Sequence, residues 1–324
     1  MVDIANLNPS VKPLVDQIQR LSSEAWDSHV NGTDISRWLD NFTGKVDDLA
    51  VEHANALHLL AEFNYFGGME IRELLRCVYR DLYRYPIVQS VRNAQSVRPS
   101  AQVMRARIKA ELSATRFLGI GSPAESGTHL LYLFRQVNHL PPSLFISEAD
   151  ILDGPSYKES TKFRDVNVRR LVYIDDLLGS GEQVKTYSKE FLADVRRIAL
   201  KTNQPLSMSY YTLFAKPDGL KVARSLSFTD VAAVHELDSS SEAFSSDSRA
   251  YVGDLVDGVS KSAGERIAFG YGEQVFRQGP LGWNDDQLLI GLNHNVPDNT
   301  LPIFWAGQDS GAEWAPIFPR YGKV

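Results

Sequence analysis

The chain has 324 residues, of which 43% are hydrophobic and 23% are charged, and its formal net charge is −6. This hydrophobic content supports a sizeable core and excludes wholesale disorder, and the acidic balance argues against a protein dedicated to nucleic-acid binding. Cys77 is the single cysteine, so no disulfide can form within the chain, which suits a reducing compartment. The first residues lack a signal-peptide pattern and no apolar run approaches about 18 residues, which predicts a soluble, cytoplasmic protein.

Residues 1–112 are predicted to be mainly helical. Apolar residues recur at helical spacing over 10–21, 51–66 and 70–85, and Pro86 is expected to stop the last of these helices. No glycine loop or strand alternation is recognisable in this part. The sequence therefore predicts an α-helical N-terminal domain over 1–112 and a second domain over 113–324.

Four arginines recur at every fourth residue along the last of these helices: Arg72, Arg76, Arg80 and Arg84. This spacing places them on one helix face. They form either a solvated face, since Glu73 and Asp81 lie nearby, or a surface for nucleic acid or for an acidic partner protein. Only an interaction surface of this kind would lose affinity steeply with added salt.

From about residue 115 the pattern changes to alternating strands and helices. An apolar strand over 116–121, a small-residue loop, a helix over 128–137 and a strand from Leu144 form a βαβ unit. Such a unit implies a parallel sheet with a right-handed crossover. Three more strands are predicted, over 207–215, 230–237 and 287–292.

The central stretch of the chain is residues 170–183. Residues 171–174 predict a strand buried on both faces, Asp175 and Asp176 stand where it ends, and a Gly-Ser-Gly turn leads into a helix over 184–200. In an open α/β sheet, ligands bind beyond the carboxyl ends of the strands, and a helix N-terminus offers N–H groups to an anion. A simpler alternative is a polar strand end that caps the next helix.

This stretch resembles the ribose-phosphate signature of type I phosphoribosyltransferases, in which an apolar strand leads into two acidic residues and a Thr/Gly-rich loop. The resemblance implies that Asp175 and Asp176 are catalytic residues that hold the ribose hydroxyls and the hydration shell of a Mg²⁺ ion. It also implies that seven residues bind the 5′-phosphate: Leu177, Leu178, Gly179, Ser180, Gly181, Glu182 and Gln183. Gly179, Glu182 and Gln183 depart from the usual Thr, Gly and Thr.

Two more segments correspond to substrate-binding loops of that family. Gly121 and Ser122 open the loop that contacts pyrophosphate, although this loop carries Glu125 and no basic residue, and an ordinary βα loop is the alternative. The polar segment 147–169 corresponds to a flexible loop that folds over the active site, with Tyr157 and Lys158 as expected substrate contacts. A solvated surface loop is equally compatible with that segment.

The C-terminal part resembles the PRTase-CE branch of the superfamily, which occurs in bacterial conflict systems. The resemblance rests on Pro280-Leu281-Gly282, the following strand and the His-Asn, Pro and Asn-Thr-Leu-Pro pattern over 293–305, and it covers about residues 115–306. It implies a phosphoribosyltransferase-like parallel sheet with helices on both faces, preceded by the α-helical N-terminal domain. It also implies an anti-phage effector of retron type, whose partner proteins are a reverse transcriptase and a winged-helix protein.

Two functions remain open at this point. One is an enzyme that acts on phosphoribosyl pyrophosphate or a nucleotide, either a transferase or a nucleotide-cleaving relative. The other is a catalytically inactive nucleotide sensor that signals through its helical domain. Glu125 and Glu182 favour the sensor, the intact pair of Asp175 and Asp176 favours the enzyme, and no side chain is identified as a general base. His294 either takes part in base contact or proton transfer, or belongs to a simple turn.

Overall fold

The structure is a computed structural model that describes residues 2–4, 7–94, 99–120, 126–158, 160–307 and 313–320. Its α-helices over these residues are α1 (Lys12–Glu24), α2 (Gly32–Leu39), α3 (Leu49–Ala61), α4 (Gly68–Cys77), α5 (Tyr85–Asn93), α6 (Ala101–Ser113), α7 (Ser126–Val137), α8 (Glu182–Tyr187), α9 (Ala193–Lys201), α10 (Pro217–Arg224), α11 (Lys261–Val275) and α12 (Pro302–Trp305). Two π-helical segments, Val78–Arg84 and Ser188–Leu192, join α4 to α5 and α8 to α9.

The strands are short except for two at the centre of the larger sheet. They are β1 (Asn64–Phe66), β2 (Thr115–Gly119), β3 (Leu152–Asp153), β4 (Lys162–Phe163), β5 (Arg170–Leu178), β6 (Ser207–Ala215), β7 (Asp230–Glu236) and β8 (Ile290–Leu292). The chain divides into two compact units, Met1–Ile71 with Asp238–Val324, and Arg72–Leu237. These bounds differ from the boundary near residue 112, which stays a prediction about independently folding domains.

The first unit is built on the helices α1, α3 and α11, with a two-stranded parallel pair of β1 and β8. The helix predicted over 51–66 is wrong at its end, because α3 ends at Ala61 and residues 64–66 form β1. The backbone N–H of Asn64 donates to the carbonyl of Leu289 (2.9 Å), so a partner distant in sequence replaces the helical bonds. Tertiary pairing therefore overrides the helical periodicity at this point.

The helix α11 forms although its sequence is rich in glycine. A Cβ atom at Gly272 would overlap the carbonyl of Pro280, and one at Gly270 would lie 2.8 Å from the side chain of Val46. These glycines therefore permit close packing of the helix against its neighbours and do not mark a loop.

The second unit contains a four-stranded parallel sheet in the order β2-β5-β6-β7. Val172 of β5 lies between Phe117 of β2 and Ser209 of β6, and an isolated parallel bridge joins Phe117 to Phe145. The strand predicted from Leu144 is thus reduced to this bridge. The arrangement confirms the predicted α/β fold with a parallel sheet.

Helices cover both faces of this sheet. On one face, the ring of Phe117 contacts the rings of Tyr83 and Phe134, which come from the π-helical segment and from α7. On the other face, Tyr173 and Tyr210 pack in a core with apolar residues of α8, α9 and α10. Burial on both faces explains why residues 171–174 of β5 are continuously apolar.

The expectation that Pro86 ends its helix is wrong, because the helical run continues from α4 through the π-helical segment to Asn93. In this wider turn the N–H of Tyr85 donates to the carbonyl of Arg80, five residues back. The shift in bonding makes room for a proline ring that would otherwise collide with a carbonyl in the preceding turn. Over the described residues, no helix is long and apolar enough to cross a membrane.

Candidate functional site

The two adjacent carboxylates lie near the carboxyl end of β5, between β2 and β6. Asp175 is 8% exposed and Asp176 is 9% exposed. Asp175 lies on the face of the sheet that carries Tyr210, and the carboxyl groups of Asp175 and Asp176 come close enough to interact with each other.

Hydrogen bonds hold both carboxylates in place. The hydroxyl of Tyr210 donates to Oδ2 of Asp175 (2.8 Å), and the backbone N–H of Asp176 donates to Oδ1 of Asp175 (3.0 Å). The N–H of Leu177 donates to Oδ1 of Asp176 (2.8 Å). The pair is thus oriented by its own backbone and by one side chain from the neighbouring strand.

Burial raises the pKa of Asp175 well above its usual range, and the negative charge of Asp176 raises it further. The hydrogen bond from Tyr210 lowers it, without cancelling the other two effects. Burial also raises the pKa of Tyr210, as does the charge of Asp175. A cation bound at this strand end would offset the repulsion between the two carboxylates and so lower the pKa of Asp175. The site therefore favours positive charge electrostatically.

Thr212 lies beside Asp175 in the parallel register of β5 and β6. It is fully buried, and among the described residues no group pairs with its Oγ1. A buried hydroxyl without a partner is uncommon in native structures. The hydroxyl of Thr212 is thus an unpaired hydrogen-bond donor next to Asp175.

The turn after β5 requires glycine for the packing of the chain itself. Gly181 has φ +83°, a left-handed conformation that favours glycine. A Cβ atom there would lie 2.9 Å from the side chain of Val222 in α10. The N–H of Lys185 donates to the carbonyl of Gly181 (3.0 Å), which begins the helix predicted over 184–200.

The helix α10 packs against this turn. A Cβ atom at Gly219 would overlap the carbonyl of Gly179, and the N–H of Lys216 donates to the carbonyl of Leu178 (2.9 Å). Sequence reasoning did not identify Gly219 or Tyr210 as parts of the site. The signals were the Lys-Pro-Asp-Gly run at 216–219, which marks a turn, and the predicted strand that contains Tyr210.

Replacing Gly219 with Ala should destabilise the second unit by about 1–3 kcal/mol, the usual cost of overpacking. The added methyl group would push the Gly179 carbonyl and deform the turn. Urea denaturation followed by circular dichroism measures the effect. Gly32→Ala is the matched control, because its Cβ would meet Ile4 at an ordinary 3.8 Å. Equal stability of Gly219→Ala and the native protein would contradict this packing argument.

Glu182 follows the turn directly, and its side chain is 64% exposed. Its Oε1 lies 2.9 Å from Nζ of Lys185, one turn along α8. This ion pair offsets the carboxylate charge beside the turn. The repulsion between Glu182 and a bound phosphate is therefore weaker than the sequence alone indicates.

Where the structure describes them, the other predicted substrate-binding residues make no contact with the acidic pair. Tyr157 is 80% exposed, and the N–H of Lys158 only closes a turn on the carbonyl of Pro155. The carbonyl of Ser156 accepts a hydrogen bond from Arg197 (2.7 Å) in α9. Arg197 is separated from the glycine turn by roughly 22 Å of helix, at 1.5 Å per residue. The lid role of this segment stays a prediction. Gly121, Ser122 and Glu125 lie outside the described residues.

Among the described residues, no group of three or more His, Cys, Asp and Glu side chains is arranged to hold a metal ion. His294 belongs to the other compact unit, where its Nδ1 lies 3.2 Å from Oδ1 of Asn293. The site therefore consists of two carboxylates, one tyrosine, one buried hydroxyl and a glycine turn.

Comparison with known protein families identifies a match to this chain. The family model PRTase-CE matches residues 35–320, which include the acidic pair, the glycine turn and parts of both compact units. No curated protein matches the chain. The match extends well beyond residues 115–306, over which the sequence motifs alone carry the resemblance.

Proposed function

The chain belongs to the PRTase-CE family, and on this premise we propose that its acidic pair and glycine turn bind a ribosyl 5-phosphate substrate. Membership of this family indicates a phosphoribosyltransferase-like protein. The proposed substrates are phosphoribosyl pyrophosphate or a nucleotide. One observation carries the proposal: two buried carboxylates at the carboxyl end of a central parallel strand lead directly into a left-handed glycine and a helix. That is the place where α/β sheets bind ligands.

In this proposal the two carboxylates act on the ribose. Asp175 and Asp176 accept hydrogen bonds from the ribose hydroxyls, and their charge stabilises an oxocarbenium-like transition state at the anomeric carbon. The backbone N–H groups of residues 177–183 bind the 5′-phosphate at the start of α8. Tyr210 keeps Asp175 oriented through the hydrogen bond to its Oδ2.

The donor set is compatible with Mg²⁺. This ion commonly binds through one or two carboxylates, with water and substrate phosphates completing its octahedron. Asp175 and Asp176 would hold it. When bound, Mg²⁺ supplies neutralisation of the negative charge on a pyrophosphate leaving group.

A nucleotide sensor without catalysis is the second candidate. The observation that favours it is that Asp175 already accepts two hydrogen bonds and has a raised pKa, so it is less readily ionised than a free carboxylate. A sensor of this kind would signal through the helical region that carries Arg72, Arg76, Arg80 and Arg84. Turnover separates the two candidates, because the sensor binds the same ligands and releases no product.

The biological setting that we propose is anti-phage defence. It follows from the resemblance of the acidic turn and the C-terminal motif to domains encoded beside retron-type reverse transcriptases. The proposed protein partners are that reverse transcriptase and a winged-helix protein, with action in the cytoplasm. Loss of phage protection in cells that carry Asp175→Asn with Asp176→Asn, at normal protein level, is the expected result.

Calorimetry with phosphoribosyl pyrophosphate tests the proposed site most directly. We expect binding that strengthens with Mg²⁺ and weakens when the ion is chelated, and pyrophosphate release if the protein is an enzyme. Asp218→Asn is the matched control, because Asp218 is an exposed carboxylate on α10, and it should bind as the native protein does. Absence of binding for phosphoribosyl pyrophosphate, ribose 5-phosphate and nucleotides alike would overturn the proposal.

A further inference from the structure

We propose that the second compact unit also carries a surface for single-stranded nucleic acid, independent of the ribosyl site. It is formed by the helical run 72–93 and by α6. This basic surface consists of eight described residues: Arg72, Arg76, Arg80, Arg84, Arg92, Arg105, Arg107 and Lys109. All eight are exposed to solvent.

The first argument is the distribution of charge along the chain. Residues 72–113 hold nine basic and three acidic residues, so this segment has a local charge of +6 in a chain whose net charge is −6. The remainder of the chain therefore carries −12. A polyanion is attracted to this segment and repelled elsewhere, which restricts the way in which it can dock.

Most of these charges are not neutralised by ion pairs with the described residues. Arg76 pairs with Glu73, and Arg80 pairs with Asp81 at 2.7 Å. The other arginines of the run and the basic residues of α6 form no ion pair with any described residue. Unpaired arginines remain available for phosphate contacts.

The second argument is that α6 is uncovered. None of its 13 residues is buried, although helices in proteins are normally stabilised by burying an apolar face. It packs against α5 and presents Arg105, Arg107 and Lys109 to solvent. A basic helix with so little burial is well suited to a partner that covers it.

The residue types favour nucleic acid over an acidic protein. Eight of the nine basic residues are arginines, whose guanidinium forks match phosphate oxygens in a bidentate manner. From Arg72 to Arg92 they follow one helical run of roughly 30 Å at 1.5 Å per residue. Large apolar side chains, which anchor most protein interfaces, are few here, since among the described residues of this surface only Tyr85 and Val103 are well exposed.

The aromatic ring of Tyr85 favours unpaired bases. It is 56% exposed and follows Arg84 directly. Exposed aromatic rings beside cations stack on bases of single strands, whereas the bases of a duplex are already stacked on one another. The surface is thus expected to prefer a single strand to a duplex of the same sequence.

Fluorescence anisotropy with a labelled oligothymidylate of about 20 nucleotides tests this inference. The native protein should bind with an affinity that falls steeply with salt. Replacing Arg72, Arg84, Arg92 and Arg107 with Gln should weaken binding at least tenfold and reduce the slope of log affinity against log salt by about 3, at 0.7 per lost phosphate contact. Tyr85→Ala should weaken binding at least fivefold and leave the salt slope unchanged.

The matched control removes the same charge from the same unit. It replaces four exposed basic residues with Gln: Lys189, Lys201, Lys221 and Arg224. Its affinity should stay within twofold of the native value. Equal binding by the arginine variant, equal loss in the control, or equal affinity for a duplex would overturn the inference. So would binding of polyglutamate as tight as binding of the oligonucleotide. Retained phosphoribosyl pyrophosphate binding by the arginine variant separates this surface from the proposed active site.

Discussion

Replacing Asp175 with Asn is expected to make the protein more stable at pH 7 and to weaken ligand binding. The carboxylate is buried beside the charge of Asp176, so its ionised form is disfavoured in the folded state. The amide keeps the shape: its oxygen can accept the hydrogen bond from the N–H of Asp176, and its NH2 group can donate to the hydroxyl oxygen of Tyr210. We expect a gain of about 0.5–2 kcal/mol in the free energy of unfolding, as is common when a functional group is removed.

The dependence on pH distinguishes this effect from simple repacking. The folded-state pKa of Asp175 is raised above its usual value of 3.8. The stability that it contributes is fully present below the usual value and is lost as the pH rises through the folded-state pKa. The difference between Asp175→Asn and the native protein should therefore be small at acidic pH and should grow toward neutral pH.

The loss of binding is measured in the same protein preparations. Asp175→Asn together with Asp176→Asn should weaken phosphoribosyl pyrophosphate binding about 100-fold or more, because hydrogen bonds to charged groups contribute about 1.5–3 kcal/mol each. The control Asp218→Asn should leave binding unchanged and lower the stability by less than about 1 kcal/mol, the usual contribution of a carboxylate in the first turn of a helix. A lower stability of Asp175→Asn at pH 7 would instead identify the pair as a structural strand end.

Replacing Glu52 with Ala is expected to destabilise the first unit by about 3–4 kcal/mol, a large part of the stability of a typical domain. The carboxylate is fully buried and accepts hydrogen bonds from the backbone of Gly44 (2.7 Å), Val46 (2.8 Å) and Asp47. It also accepts one from the hydroxyl of Tyr271 (2.7 Å). Its removal leaves these donors without a partner and opens a cavity.

Tryptophan fluorescence measures this effect selectively. The chain has five tryptophans, and all of them belong to the first unit: Trp26, Trp38, Trp283, Trp305 and Trp314. Tyr271→Phe removes two hydrogen bonds, the one donated to Glu52 and the one accepted from the N–H of Thr43, and should cost about 2 kcal/mol. Glu52→Gln should fall between the two, since an amide oxygen replaces only part of the carboxylate. A fluorescence midpoint of Glu52→Ala equal to the native one would contradict the proposed stabilising role of these hydrogen bonds.

Those parts of the fold and of the site that depend on neighbouring residues can be predicted from the sequence. The run at 171–174, the acidic pair and the turn at Gly181 specify a buried strand, a polar end and a helix start within about a dozen positions. The structure confirms this strand and helix and the parallel sheet around them. A buried parallel strand is readable because both of its faces must be apolar.

Residues from distant segments complete these local patterns, and the sequence does not indicate which residues they are. Tyr210 reaches Asp175 from 35 residues away, and Gly219 supports the turn from another helix. The strand at 64–66 exists because β8 satisfies its backbone, and α11 tolerates its glycines because close neighbours stabilise them. These choices depend on contacts between segments far apart in the chain, and local periodicity carries no information about such contacts.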